Sequence, residues 1–122
     1  MSTTHLVILN SKQIEVLGHT QPDPVGHILG TGYSRFYSPS GIHGLFKATE
    51  KRLDLLAVAA TAPGAGQFRV FMRGCKEVWP EIFIWETMNS LMELICLRYG
   101  FQRVTENDGD ESLNGWRWEA VK

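Results

Sequence analysis

Arg52-Leu-Asp-Leu-Leu-Ala-Val-Ala-Ala60, followed at once by Thr61-Ala-Pro-Gly-Ala-Gly66, is the stretch on which the fold turns. From Leu55 onward the first segment is apolar without alternation, the pattern of a central strand covered on both faces. Upstream, Leu45-Phe-Lys-Ala-Thr49 reads as its antiparallel partner, joined through a tight Glu50-Lys51 link. Downstream, a proline and two glycines interrupt the run and a helix begins. A strand ending in such a turn aims backbone N–H groups and the positive end of a helix at one spot, which suits a phosphate. Glycine lets a ligand approach the backbone closely, and Arg69 and Arg73 in the first turns can add charge. On its own, a glycine at a strand-to-helix junction more often answers to geometry than to a ligand.

Working outward, Phe68, Phe71, Met72, Cys75 and Trp79 share one helical face, and Pro80 stops that helix. Glu81-Ile-Phe-Ile-Trp-Glu86 follows as a strand. Asn89 caps a second helix, whose stripe of Met88, Leu91, Met92, Ile95 and Tyr99 ends at Gly100, a natural left-handed stop. Phe101 to Thr105 is a short strand, Asn107 to Asn114 a polar loop, and Gly115 to Ala120 the second arm of a final hairpin. Toward the N-terminus, Leu6–Leu9 and Ile14–Leu17 read as short strands. Between Gly18 and Gly44 the density of proline and glycine predicts an irregular segment, pinned by Tyr33, Phe36 and Tyr37. The alternation of strand and helix in the second half predicts an α/β (α+β) fold: a mixed, mostly antiparallel sheet with two main helices on its faces.

With 122 residues the chain is long enough for a single domain. Its expected parts are an irregular stretch at 1–43 and a core at 44–120. Twelve basic residues against thirteen acidic ones exclude the basic excess of a nucleic-acid or anionic-membrane binder. Cys75 and Cys96 both fall within apolar helical patterns, so buried thiols in a reducing compartment are expected. No signal peptide or membrane span is visible, which predicts a cytoplasmic protein. The four histidines, His5, His19, His27 and His43, show no metal-ligand spacing, and no P-loop or serine nucleophile elbow is present.

Together these elements resemble the GNAT superfamily of acyl-CoA N-acyltransferases. The strand Leu53-Asp-Leu-Leu-Ala-Val58 with Gly64-Ala-Gly66 is similar to the family's central strand and cofactor loop, and Asn89, Gly100 and Phe101 match its N-(x)₁₀-G-F helix without a gap. The resemblance spans Gly44 to Ala120. It implies that acetyl-CoA or another acyl-CoA is the cofactor, held by Val58, Ala60, Thr61, Gly64, Ala65, Gly66, Arg69 and Asn89. Cys96 falls where the family often has a tyrosine that protonates the departing thiolate, and it can either serve that role or fill core. Glu86 is the best-placed carboxylate for the proton leaving the amine. The loop departs from the family pattern: the basic residue is lost, Pro63 deletes an amide donor, and one register would set Phe68 against the pyrophosphate.

Two functions therefore stand. One is an N-acetyltransferase acting on a small amine or a protein amine. The other is a catalytically inactive GNAT-like protein of the phage-encoded kind, a virion or host-interaction component. Its partners would be a host protein or a second copy of the chain, anchored by Tyr33 to Tyr37, Trp116 and Trp118. The transferase reading rests on the amides past Thr61 being unpaired where two neighbouring strands part; without that, only a scaffold would remain.

Overall fold

The hairpin of β3 (Ile42–Ala48) and β4 (Arg52–Ala60) lies at the middle of a sheet, as the apolar run predicts. The computed structural model describes residues 9–22, 33–62, 65–85, 96–108 and 111–120, with backbone alone at 22, 106–108 and 111–113. Around the hairpin are α1 (Ser11–Leu17), β1 (His19–Pro22) and β2 (Ser34–Tyr37) on one side. On the other are α2 (Gln67–Val78), β5 (Glu81–Trp85), β6 (Gln102–Asp108) and β7 (Glu111–Glu119). The seven strands run in the order β1-β2-β3-β4-β5-β7-β6. Every neighbouring pair is antiparallel except β4 and β5, which are parallel and joined through α2. This is the mixed, mostly antiparallel sheet expected from the sequence.

Three local expectations need correction. Ile14–Leu17 is not a strand but the end of α1. Asn10 Oδ1 accepts from the Gln13 amide at 2.9 Å while Gln13 Oε1 accepts from the Asn10 amide at 3.1 Å. This capping box fixes a helix over residues whose alternating apolar side chains look like a strand. The segment 18–44 is not irregular throughout, since it supplies β1 and β2 at one edge of the sheet. Residues 107–108 and 111–114 of the polar stretch are strand rather than loop, because β6 and β7 pair from Gln102↔Arg117 out to Asp108↔Glu111. The proposed strand at 6–9 lies partly outside the described residues, as does most of the helix at 88–99.

One face of the sheet carries the larger core. Leu53, Leu55, Ile82, Ile84 and Trp116 from the strands meet Leu17 of α1 and Phe71, Met72 and Cys75 of α2. The helical stripe read from the sequence is therefore the buried face of α2. Polar atoms tie the helices to the hairpin. Gln13, 1% exposed, donates from Nε2 to the carbonyls of Glu50 at 3.1 Å and Val78 at 2.8 Å. Trp79 Nε1 donates to Thr49 O at 2.8 Å. Near the other end, residues 96–98 are the last turn of a helix that stops at Gly100. Gly100 N–H donates to Leu97 O at 3.2 Å and Phe101 N–H to Cys96 O at 2.9 Å, the paired closure of a glycine C-cap. Lys76 reaches from α2 to the Tyr99 carbonyl, with its ammonium 4.9 Å from the centre of the Trp118 ring. Partial burial of that ammonium lowers its pKa.

The opposite face holds a smaller cluster of Tyr33, Leu56, Phe83 and Trp85. Beside it Arg52 pairs with Asp54 at 2.7 Å, and Arg117 lies 2.8 Å from both Glu81 and Glu119. The Arg117 Nε–H is not aligned with its Glu81 neighbour, so that contact is an ion pair rather than a hydrogen bond. These pairs keep substantial solvent exposure and contribute little to stability. Burial, reinforced by the Asp54 charge, pushes the Tyr33 phenol up to about 12.

Two outcomes are expected from this packing. Gln13→Leu leaves the Glu50 and Val78 carbonyls without their donor and lowers stability by about 2 kcal/mol in urea unfolding. The unfolded chain's phenol ionises near 10 and the folded one near 12, so the unfolded state sheds its proton first. Stability from Tyr33 is complete below pH 10 and is lost as pH rises toward 12. Tyr33→Phe should flatten that alkaline decline in melting temperature, and an unchanged slope would refute this origin.

Candidate functional site

β4 does not run straight. Its antiparallel register with β3 pairs His43 with Ala59 but Leu45 with Leu56, so Gly44 alone faces both Ala57 and Val58. Two residues opposite one make a β-bulge. Ala57 takes φ 54°, in the left-handed region that side chains disfavour. Gly44 is what allows the close approach, because a Cβ there would lie 2.7 Å from the Ala57 carbonyl oxygen. On the other edge, the parallel pairing of β4 with β5 covers Arg52–Leu55 against Glu81–Ile84. β4 then continues to Ala60 through the bulge with no further partner in β5 among the described residues, while Trp85 at the end of β5 pairs with Gly115 of β7.

The turn after β4 is tied down more tightly than the sequence suggests. Thr61 N–H donates to Gly41 O at 3.0 Å, Ala62 N–H to Gln67 Oε1 at 2.7 Å, and Ala65 N–H to Ala62 O at 3.1 Å. Gln67 Nε2 also donates to Thr61 Oγ1 at 2.9 Å. The expectation of unpaired amides directly past Thr61 is therefore wrong. Gln67, the first residue of α2, was not singled out in the sequence. It reaches back across the turn and satisfies the strand end, a role that side-chain reach makes possible and that no periodicity reveals.

The N-terminus of α2 is different. Gly66 is its N-cap residue with φ 78° and offers no side chain, so no side-chain hydrogen bond caps the first turn. That turn contains no acidic residue. Arg69 folds back over it: its Nη2 is 3.5 Å from where a Cβ on Gly66 would sit. A guanidinium over the positive end of a helix is unfavourable by itself and becomes favourable when an anion lies between the two.

Of the predicted site residues, Val58, Ala60, Thr61, Ala65, Gly66 and Arg69 follow one another along this path from the bulge to the helix. Val58 and Ala60 are half-buried against the core, whereas Thr61, Ala65 and Arg69 are exposed. Gly64, Glu86 and Asn89 lie outside the described residues. Cys96 is 1% exposed within the helix-side core, the place of a core-filling side chain. Burial also raises the Cys75 thiol well above its ordinary range. Phe68 is half-buried and meets the Tyr99 ring at 6.0 Å, joining α2 to the last turn of the following helix. Among the described residues, no cluster of histidine, cysteine and carboxylate side chains can hold a metal ion, and no helix is long and apolar enough to cross a membrane.

No protein-family model matches the chain, and no curated protein matches it in sequence. Among solved structures it is similar to Ard1 from Thermoplasma volcanium, at 11% identity and a TM-score of 0.44 over 75% of this chain and 72% of that one.

The bulge gives a paired expectation. Ala57→Gly should leave stability unchanged or raised, because glycine accepts the left-handed conformation, whereas Ala59→Gly in regular strand should cost about 1 kcal/mol. Gly44→Val should cost roughly 2–3 kcal/mol by driving side-chain atoms into the Ala57 carbonyl. Equal losses for the two alanine variants in denaturant unfolding would argue against the bulge.

Proposed function

We propose that this chain is an N-acyltransferase that moves an acetyl group from acetyl-CoA to an amine. The observation that carries the reading is the α2 N-terminus, which lacks a side-chain cap and an acidic residue and has the Arg69 guanidinium folded over it. Those features fit a pyrophosphate. Two negative charges there would satisfy the first-turn amides, complement the helix dipole and compensate Arg69. Gly66 supports this fit, since among the described residues the space where its Cβ would be meets only the Arg69 side chain.

Bound acetyl-CoA would supply the thioester whose acyl carbon an amine can attack. The chain's part is then to orient and polarise. Backbone N–H groups alternate in direction along a strand, so in the Val58–Ala60 segment some face β3 and others face the opposite edge. A donor on that opposite edge, past the bulge, would stabilise negative charge developing on a carbonyl oxygen. The attacking amine must shed a proton, and Glu86, the residue after β5, is the proposed acceptor for it. Asn89 is proposed to hold the pantetheine side of the site and Gly64 to complete the loop. Cys96 could donate a proton to the leaving thiolate only by an opening of the core, so a water relay is the simpler donor.

One observation favours a second reading, an inactive scaffold that binds a partner. The amides of Thr61, Ala62 and Ala65 are already paired within the chain, which leaves fewer donors for a cofactor.

Calorimetry separates the two. Acetyl-CoA at about one hundred times its dissociation constant should raise unfolding stability by about 2.7 kcal/mol. Arg69→Glu should weaken that binding about tenfold or more, since it reverses a charge at the pyrophosphate. No heat and no thermal shift at millimolar acetyl-CoA would remove the transferase reading and leave the scaffold.

A further inference from the structure

The sheet face opposite the helices holds a shallow pocket of about 370 Å³ over β1, β2 and β3. Strand register explains how it is built. His19, Tyr37 and His43 are paired across the three strands, and Gln21, Arg35 and Leu45 form the adjacent row. Side chains at paired positions point to the same side of a sheet. The Tyr37 and His43 rings stack at 5.7 Å with 8° between their planes, and Tyr37 is nonetheless 52% exposed. Arg35 already has a partner within the chain. The exposed ring faces and Leu45 are the apolar surface of the pocket among the described residues.

The same row continues onto β4 at Ala59, immediately past the bulge. Three rings in register therefore give way to one exposed methyl group. The surface steps down there, so a body resting on the Tyr37–His43 stack overhangs the segment of β4 assigned above to polarising the acyl carbonyl. On the far side of β4 the pairing with β5 has already ended, at Leu55↔Ile84. Leu45 also packs against the cluster of Tyr33, Leu56, Phe83 and Trp85, so apolar surface is continuous from the pocket toward β4 and β5. Neighbouring strands are about 5 Å apart, which is about the distance from a ring centre to a nitrogen carried on a two-carbon arm.

We infer that this pocket is the acceptor site and that it takes a primary amine carried on a flat aromatic ring. The inference rests on the transferase reading. The ligand's ring adds to the Tyr37–His43 stack, and stacked or edge-on contact between rings favours it over a saturated body of equal size. Leu45 borders the ring, and the arm crosses Ala59 to bring the nitrogen to the acyl carbon. There the nitrogen lone pair forms the C–N bond and the C–S electron pair leaves with the thiolate. The nitrogen's proton passes to Glu86, as proposed above, and water protonates the thiolate. The volume is in the lower range for small-molecule sites, which suits one ring and a short arm.

The test compares 2-phenylethylamine with 2-cyclohexylethylamine as acceptors for acetyl-CoA, using the full chain. The two have the same carbon skeleton and differ in flatness and in the π face. The phenyl amine should show kcat/KM about fivefold above the cyclohexyl amine, the value of an aromatic pair. Tyr37→Leu should bring the ratio to about one, and Tyr37→Phe, which keeps the ring, should retain it. Calorimetry with acetyl-CoA reads the transferase proposal separately. If the cofactor binds but the two amines are used equally, neither is used, or the ratio ignores Tyr37→Leu, the acceptor inference falls while the cofactor site stands. If the cofactor does not bind, the transferase reading falls, and the pocket is judged by the ring-proton NMR signals of Tyr37 and His43. Larger shifts with the phenyl amine support an aromatic site; equal shifts with both amines, or none, overturn it.

Discussion

The structure's geometry depends on one close contact, the Ala57 carbonyl against the bare Cα of Gly44. It allows an extra residue into β4 without breaking the β3–β4 ladder, which resumes at His43↔Ala59. Because side chains alternate along a strand, one extra residue is what keeps Leu53, Leu55, Val58 and Ala60 all on the helix side. Without the bulge, Val58 and Ala60 would turn to the opposite face, and the strand would lose the core contacts that hold its far end. The same device gives β4 its change of course past Leu55, where its pairing with β5 stops.

A bent strand end needs support, and the surrounding polar contacts supply it at both ends of the hairpin. At the tight turn, Gln13 and Trp79 donate to the carbonyls of Glu50 and Thr49, so α1 and the end of α2 grip the link between β3 and β4. At the other end, Gln67 and Gly41 take up the amides of Ala62 and Thr61. Buried or strand-end polar groups left unpaired would each cost more than a typical net hydrogen bond contributes. The consequence is a stiff β4 leading into a helix whose own first turn is left uncapped. That contrast, paired amides at Thr61, Ala62 and Ala65 and a helix end without a side-chain cap beyond, concentrates the electrostatic demand at Gly66–Arg69.

How far this was legible in the sequence follows from which forces set each element. The β3–β4 hairpin, the buried stripe of α2 and the stop at Gly100 are set by hydrophobic period and by glycine, and both can be read directly. α1 could not be read from its period, because Ile14 and Val16 alternate as in a strand while Ile14 is 52% exposed. Its signal was the Asn10-x-x-Gln13 capping box, a hydrogen-bond pattern rather than a hydrophobic one. β6 lies at one end of the strand order, and its ladder with β7 is polar along its length, with Thr105 and Asn114 paired through their side chains at 2.7 Å. An edge facing water has no reason to be apolar, so composition suggested a loop. At the site, the strand, the glycine turn and Arg69 were visible, but the reach of Gln67 was not. Gly44 looked like a turn boundary, because only the register with β4 shows that it faces a bulge.

The two faces of the sheet differ in chemistry, and the strand end past the bulge lies between them. The helix face holds the uncapped N-terminus of α2 and Arg69, which call for a doubly charged anion. The opposite face holds the stacked Tyr37 and His43 rings beside Leu45 and the cluster around Phe83 and Trp85. Only β4 past the bulge borders both, through Ala59 next to His43 and through Ala60 leading to the helix turn.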